Sequence, residues 1–250
     1  MGIVGVETRG RVTIVSILRP DKRNAVNEEV TAGLDAAFNE FEDDPEQWVA
    51  VLTGTADLFS AGTDLISGPG DRTDRGGDYG LIRRVRTKPL IAAVEGVAFG
   101  GGFELAMACD MVVAGDGARF ALPEVKRGVI ATSGALFRAA RLLPPNLAKE
   151  LLLTGEEISA ARAAELGFVN RVVAAGSALA AAVELAEIVA ANAPISVRQS
   201  LQAVDAVLAA DDERAWAVGA DAIRAVIASE DMAEGVRAFA EKRPPVWRGR

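Results

Sequence analysis

Two carboxylates are set among unusual neighbours. Glu104 closes the run Gly96-Val97-Ala98-Phe99-Gly100-Gly101-Gly102-Phe103-Glu104, and Glu124 follows Leu122-Pro123. A pair of carboxyl groups can take up and deliver protons if burial lifts a pKa toward the working pH. Three consecutive glycines at a strand-to-helix junction let a ligand or another backbone approach closely. They also leave helix N-terminal N–H groups free to meet developing negative charge. A second turn, Phe59-Ser60-Ala61-Gly62-Thr63-Asp64-Leu65, could aim its N–H groups at the same oxygen. Two donors converging from different loops form an oxyanion hole, with roughly 3–4 kcal/mol lost per missing donor. Taken singly, each feature also has a structural use. A triple glycine packs helix on sheet, and the helix dipole favours an acid in a first turn. The glycine run has neither the Gly-Lys-Ser/Thr of a P-loop nor the GxGxxG spacing of a dinucleotide site.

Composition leaves these groups as the main candidates for chemistry. The 250 residues include no histidine, which removes Ser-His-Asp and Cys-His catalysis and zinc sites of the HExxH type. Cys109 is the single cysteine and can form neither an internal disulfide nor a CxxC motif. No metal and no separate cofactor are expected. With 27 basic against 35 acidic residues the net charge is −8, which argues against a nucleic-acid or anionic-membrane partner. The first residues lack a basic stretch followed by an apolar run, so no secretory signal is expected. The Ala-rich segment from Ala178 to Ala193 is interrupted by Glu184 and Glu187, short of the roughly 18 apolar residues of a membrane helix. The expected location is the cytoplasm.

The elements that must position these residues alternate. Residues 3–8 and 12–18 are β-branched runs around Arg9-Gly10-Arg11 and predict a hairpin. Asn27 is placed to cap a helix running to about Asp43, with Glu28 and Glu29 in its first turn and Leu34, Phe38 and Phe41 on its apolar face. Val49–Gly54, Leu90–Gly96, Met111–Gly115 and Ala118–Leu122 predict buried strands, the last two joined by a Gly-Asp-Gly turn; Val169–Val173 is the final strand. The alternation predicts an α/β class. From Gly176 to Ala240 the pattern is Ala-rich and helical, with an organisational boundary near Pro194. This divides the chain into a 1–194 core and a 195–250 helical region. Ile195, Val197, Leu201, Val204 and Leu208 give that region an apolar stripe to bury on its own core or on a neighbouring subunit. Ser67–Gly80 is rich in glycine and aspartate and predicts a mobile segment, either a solvated loop or a lid beside a substrate pocket.

Together these residues resemble the crotonase, or enoyl-CoA hydratase/isomerase, superfamily. The resemblance runs through Arg19–Asn27 (RPDKRNAVN), FSAGTDL, GVAFGGGFELAMACD, ALPEVKRG and LTGEEISAARAAELGFVNRVV, in the family's order and spacing. It implies a spiral core of repeated ββα turns with a C-terminal helical oligomerisation region building trimers or hexamers. It further implies an acyl-CoA thioester substrate whose carbonyl oxygen is held by the Thr63 and Gly101 N–H groups, with Glu104 and Glu124 as the catalytic carboxylates. Arg23, Ala25 and Leu65 match CoA-contact positions. Phe239 and Lys242 match residues that reach the adenosine-phosphate end of CoA bound by a neighbouring subunit. The implied reaction is hydration of a 2-trans-enoyl-CoA. A Δ3,Δ2-enoyl-CoA isomerase on the same fold and a non-catalytic acyl-CoA binder are the alternatives. The chain departs from the family after Glu124, where Ala131-Thr132-Ser133-Gly134-Ala135 replaces a Pro-Gly-Ala-Gly-Gly-like stretch.

Overall fold

Arg9 pairs with Val12 across a two-residue Gly10-Arg11 turn, joining strand β1 (Val4–Arg9) to β2 (Val12–Ile17) in the expected hairpin. Gly10 takes the positive φ of 60° that such a tight turn needs. The computed structural model describes residues 2–209 and 211–248; position 1 of the 1–194 core and positions 210, 249 and 250 of the 195–250 region lie outside the described residues. Helix α1 (Glu28–Asp43) is capped by Asn27, whose side chain accepts from the Val30 N–H at 3.1 Å. Its apolar stripe buries Val30, Leu34, Phe38 and Phe41. The chain then enters β3 (Val49–Thr53), parallel to β2.

From here the spiral develops. Strand β4 (Leu90–Val94) lies beside β3, and β5 (Val97–Phe99) leaves for a second sheet before helix α2 (Gly101–Met107). Strand β6 (Met111–Gly115) returns beside β4, β7 (Arg119–Ala121) joins β5, and a 3₁₀ turn spans Pro123–Arg127. Helices α3 (Ala135–Leu142) and α4 (Pro145–Thr154), strand β8 (Glu157–Ser159), helix α5 (Ala160–Glu165) and strand β9 (Arg171–Val173) follow. The described strands form a six-stranded sheet, ordered β1-β2-β3-β4-β6-β9, and a three-stranded sheet, ordered β5-β7-β8. Two successive turns, β4-β5-α2 and β6-β7 with the Pro123–Arg127 turn, each contribute one strand to each sheet and then a helical segment, the ββα spiral that the resemblance implied. The Gly115-Asp116-Gly117 link accordingly carries the chain between sheets rather than folding β6 back on β7. β5 and β8, three residues each, were not expected.

The central strands β3 and β4 of the large sheet are buried on both faces and are therefore continuous apolar runs. One face packs on α1, α2 and the aromatic cluster Phe103, Phe120 and Phe168, whose ring centroids lie 5.2–5.4 Å apart. The other face, including Val12, Val51, Ile91 and Val113, is covered by Ala178, Ala182, Val183 and Ala186 of α6 (Ala178–Ala190).

Ser67–Gly80 is a correction. The segment is anchored to α1: the Thr31 hydroxyl donates to the Pro69 carbonyl at 2.6 Å, and the Thr73 hydroxyl donates to Asp35 at 2.8 Å. Arg72 and Arg83 both pair with Asp78. Gly70, Gly76, Gly77 and Gly80 serve close packing, since a Cβ on Gly80 would lie 2.4 Å from the Thr31 carbonyl oxygen, whereas Gly68 faces open space. Ser67, Gly70–Arg72, Asp74 and Arg75 are exposed, as the solvated-loop reading has it, while Gly76, Gly77, Tyr79 and Gly80 are buried.

Beyond α6 lie α7 (Pro194–Leu208), α8 (Asp212–Ile227) and α9 (Glu230–Glu241). Neither α7 nor α8 buries a residue fully. Trp216 of α8 nonetheless stacks edge-on against Phe137 of α3, and α9 seats Gly235 and Ala238 against the Pro123–Arg127 turn. Among the described residues no single helix is long and apolar enough to cross a membrane; α6 and α7 together reach that length but meet at 108°.

Candidate active site

Backbone pairing brings the two glycine turns together. Ser60 N–H donates to the Val97 carbonyl at 3.0 Å, and Phe99 N–H donates back to Ser60 at 3.0 Å. On its other side the 59–65 turn is held by Val26, which donates to Gly62 and accepts from Asp64. Gly62 is thereby pressed on the triple-glycine run: a Cβ there would lie 3.0 Å from Gly101 N. Among the described residues neither the Thr63 nor the Gly101 backbone N–H finds an acceptor. Two unpaired donors on touching loops are the components of an oxyanion hole.

Glu104 lies in the first turn of α2 and is 2% exposed. Its Oε1 accepts from the Ala135 N–H at 3.1 Å, and the Ser133 N–H is a second backbone donor. Burial pushes its pKa up to about 8, with the charge of Glu124 adding to the rise and the two backbone donors opposing it. Glu124, in the Pro123–Arg127 turn, directs Oε1 at Gly100, where a Cβ would come within 2.9 Å. Its Oε2 is buried and accepts no hydrogen bond from the described residues. Burial raises Glu124 to about 7, eased by its own backbone N–H and by Arg127. Glu104 holds its proton to the higher pH, so it is the group that feels the other's charge. A buried acceptor without a donor is what a bound water or substrate hydroxyl satisfies.

Sequence reading missed Tyr79, the single tyrosine of the chain, as a site residue. It sits in the short 3₁₀ turn Asp78–Gly80 with φ +54° and is 5% exposed. Its hydroxyl lies 2.7 Å from Thr63 Oγ1 and also bonds the Ser133 side chain. The ring covers Gly101, where a Cβ would lie 2.6 Å from the phenol oxygen. Burial, then the charge of Glu104, pushes the phenol pKa well above its usual value. A lone tyrosine beside paired glycines was the only signal in the sequence.

The remaining expected residues fall into two groups. Arg23 and Ala25 flank buried Asn24, whose amide donates to the Leu58 and Phe59 carbonyls and ties this segment to the 59–65 turn. Arg23 and Leu65 are exposed there, on the rim beside Thr63. Arg19 pairs with Asp64 at 2.8 Å and holds its carboxyl down at about 2, fixing the same rim. Phe239 and Lys242 stand apart from that rim, at the end of α9. Phe239 is half exposed and lies beneath the Arg127 guanidinium at 5.7 Å, in a cleft lined also by Pro123, Lys126 and Arg243. Within one chain, then, Thr63, Gly101, Glu104 and Glu124 converge, Arg23, Ala25 and Leu65 flank them, and Phe239 and Lys242 lie at the end of α9, which packs on the turn that carries Glu124. Among the described residues no group of three or more Cys, Asp or Glu is placed to hold a metal ion.

Comparison with known proteins gives the family. The sequence profile of the enoyl-CoA hydratase/isomerase family matches residues 7–250. A carnitinyl-CoA dehydratase of Salmonella typhi is 41% identical over 256 aligned positions, covering 96% of each chain. Among solved structures, a carnitinyl-CoA hydratase from Mycobacterium avium superposes with a TM-score of 0.94 at 41% identity, over the full length of both chains. An enoyl-CoA hydratase from Mycobacterium tuberculosis H37Rv superposes with a TM-score of 0.81, also at 41% identity and full coverage.

Proposed function

The chain belongs to the enoyl-CoA hydratase/isomerase family, and on that premise we propose that it adds water across the C2–C3 double bond of a 2-trans-enoyl-CoA, or removes it from the 3-hydroxyacyl-CoA. The observation that carries this reading is the pair of buried carboxyls, Glu104 and Glu124, raised to about 8 and about 7 beside two unpaired backbone N–H groups. Between those values the pair holds one proton, so one carboxyl can act as acid while the other acts as base.

In the forward direction the thioester oxygen accepts from the Thr63 and Gly101 N–H groups. The ionised carboxyl draws a proton from water as its oxygen bonds to C3. The electron pair of the double bond moves through C2 onto the thioester oxygen, where the two donors stabilise the enolate. C2 then takes the proton held by the other carboxyl, and the pair again carries one proton. Two carboxyls and two backbone donors complete this balance, and the reaction as written needs no further cofactor. Isomerisation of a Δ3-enoyl-CoA needs one base to shuttle a proton; the second raised carboxyl, with its free Oε2, favours hydration.

Two relatives are named carnitinyl-CoA dehydratase and carnitinyl-CoA hydratase, so carnitinyl-CoA belongs in any assay panel. Arg23, Ala25 and Leu65 are proposed to hold the CoA moiety at the rim. Exposed Ile195, Val204, Val207 and Leu208 on α7 support assembly into trimers or hexamers. There, Phe239 and Lys242 would meet the CoA of a neighbouring subunit. The proposed setting is the cytoplasm, with no nucleic-acid or membrane partner.

The test is loss of the conjugated-thioester absorbance on adding enzyme to crotonyl-CoA. Glu124→Gln should lower kcat by roughly 10²–10⁴ with a smaller change in KM. Near-wild-type hydration by that variant would exclude the two-carboxyl mechanism.

A further inference from the structure

The peptide linking Gly62 to Thr63 carries one of the two N–H groups proposed to meet the thioester oxygen, and it is held at both ends. Its carbonyl, on Gly62, accepts from the Val26 N–H at 2.8 Å, and the following Asp64 N–H donates to the Val26 carbonyl at 2.9 Å. Its other end is the Thr63 side chain, whose Oγ1 lies 2.7 Å from the Tyr79 hydroxyl. The same phenol oxygen packs on the second donor residue, since a Cβ on Gly101 would lie 2.6 Å from it. One oxygen thus bonds one donor residue and rests against the other.

The phenol is itself held. The Ser133 side chain is its second hydrogen-bond partner, and burial keeps it protonated. A hydroxyl with one proton and two hydroxyl neighbours donates to one and accepts from the other, so Thr63, Tyr79 and Ser133 form one chain. The turn that carries the ring is clamped as well. Asp78 pairs with both Arg72 and Arg83, and Arg84 bonds Asp35 at 2.6 Å and the Gly80 carbonyl at 3.2 Å. Tyr79 keeps φ +54°, a strained setting for a residue other than glycine, because these contacts over-determine its turn.

We propose that Tyr79 is a positioning residue: its hydroxyl fixes Thr63 against Gly101 and so sets the separation of the two oxyanion donors. Tyr79 acts through Thr63 rather than on the substrate, and the inference rests on the hydratase reading for the place of the thioester oxygen. The donors tighten their hold as charge builds on that oxygen, so loosening them costs kcat more than KM.

Turnover and spectroscopy test this on the wild type, Tyr79→Phe, Thr63→Val and the double variant. Phenylalanine keeps the ring and valine keeps the β-branched shape, so each removes one end of the same hydrogen bond. On crotonyl-CoA each single variant should lower kcat by about tenfold or more, part of the roughly 10²–10³ lost with a whole donor, with KM changed by less than about twofold. The double variant should be no slower than the slower single one, because the two share one tether. Alongside, the infrared band of the thioester carbonyl is recorded for unreactive butanoyl-CoA, isotope-labelled at that carbon. It should fall in frequency on binding to the wild type and fall less in both single variants. Wild-type turnover retained in Tyr79→Phe, or the wild-type carbonyl band retained in it, overturns the proposal. The same result in Thr63→Val overturns it even if the phenylalanine variant does not fold. Losses that multiply in the double variant overturn it too, since they give the two hydroxyls separate roles. A band lowered in the wild type and relaxed in the variants, with no 2-enoyl-CoA turned over, would sustain the positioning role while defeating the hydratase reading.

Discussion

The Glu104 carboxylate accepts a hydrogen bond from the Ala135 backbone at 3.1 Å, across 31 positions of sequence. The donor belongs to Ala131–Ala135, the stretch where this chain departs from its family's usual pattern. The departure therefore bears on the first carboxylate rather than only on the segment behind the second. Ser133 touches both sides, its N–H facing Glu104 and its hydroxyl meeting Tyr79. One irregular loop thus meets both the Glu104 carboxyl and the Tyr79 phenol.

The paired carboxyls fix a pH dependence. Below about 7 both are protonated and no base remains; above about 8 both are ionised and no acid remains. The profile of kcat/KM against pH should be a narrow bell centred between these values, its limbs reporting the pair rather than either residue. A flat profile from pH 5 to 10 would contradict a one-proton pair.

Stability should move in the opposite sense to catalytic need. Glu104 binds its proton more tightly in the folded chain than in the unfolded one, where the value is the ordinary 4.5. Its contribution is therefore full below about 4.5 and is lost as pH rises to about 8. Glu104→Gln keeps the shape and stays neutral, so at pH 9 it should be more stable than the wild type by on the order of 2–4 kcal/mol. At pH 4 the two should unfold at similar denaturant concentrations. Denaturation at the two pH values checks the sign; a variant destabilised at pH 9 would show that the site tolerates the charge.

The environment of Tyr79 can be read directly, because the phenol is the only one in the chain. The ultraviolet phenolate band of the native protein should stay absent through pH 10, the ordinary tyrosine value, and appear there only after unfolding. A native titration midpoint at 10 would place the ring in solvent and remove it from the site.

Much of this was legible in the sequence, for identifiable reasons. Strands such as Leu90–Val94 are buried on both faces and therefore appear as unbroken apolar runs. Asn27 followed by Glu28 and Glu29 marks a helix start through local hydrogen bonding and the dipole alone. The convergence of Thr63 with Gly101 followed from the resemblance, whereas the backbone pairing of Ser60 with Val97 that produces it spans 37 positions and leaves no local mark. Tyr79 was illegible because its placement depends on Gly80 meeting α1, a contact between backbones. The burial of Gly76, Gly77 and Gly80 at the end of the 67–80 segment was hidden for the same reason.

The C-terminal helices give the last prediction. Helix α7 leaves Ile195 75% and Val207 77% exposed in the single chain, with Val204 and Leu208 also exposed. A row of apolar side chains of this kind usually covers an interface, at about 25 cal/mol for each Å² removed from water. Light scattering on the pure protein should give a mass near three or six times 26.1 kDa. Replacing Val204 and Val207 together by aspartate should shift that mass toward a single chain at micromolar concentration, because burying two charges in an apolar contact is unfavourable. Lys242→Ala, by contrast, should leave the mass unchanged and raise KM for CoA thioesters more at low salt than at high salt, since it removes a cation proposed to face phosphate. A wild-type particle of 26.1 kDa together with an unaltered KM in Lys242→Ala would reject both the assembly and the role of α9 within it.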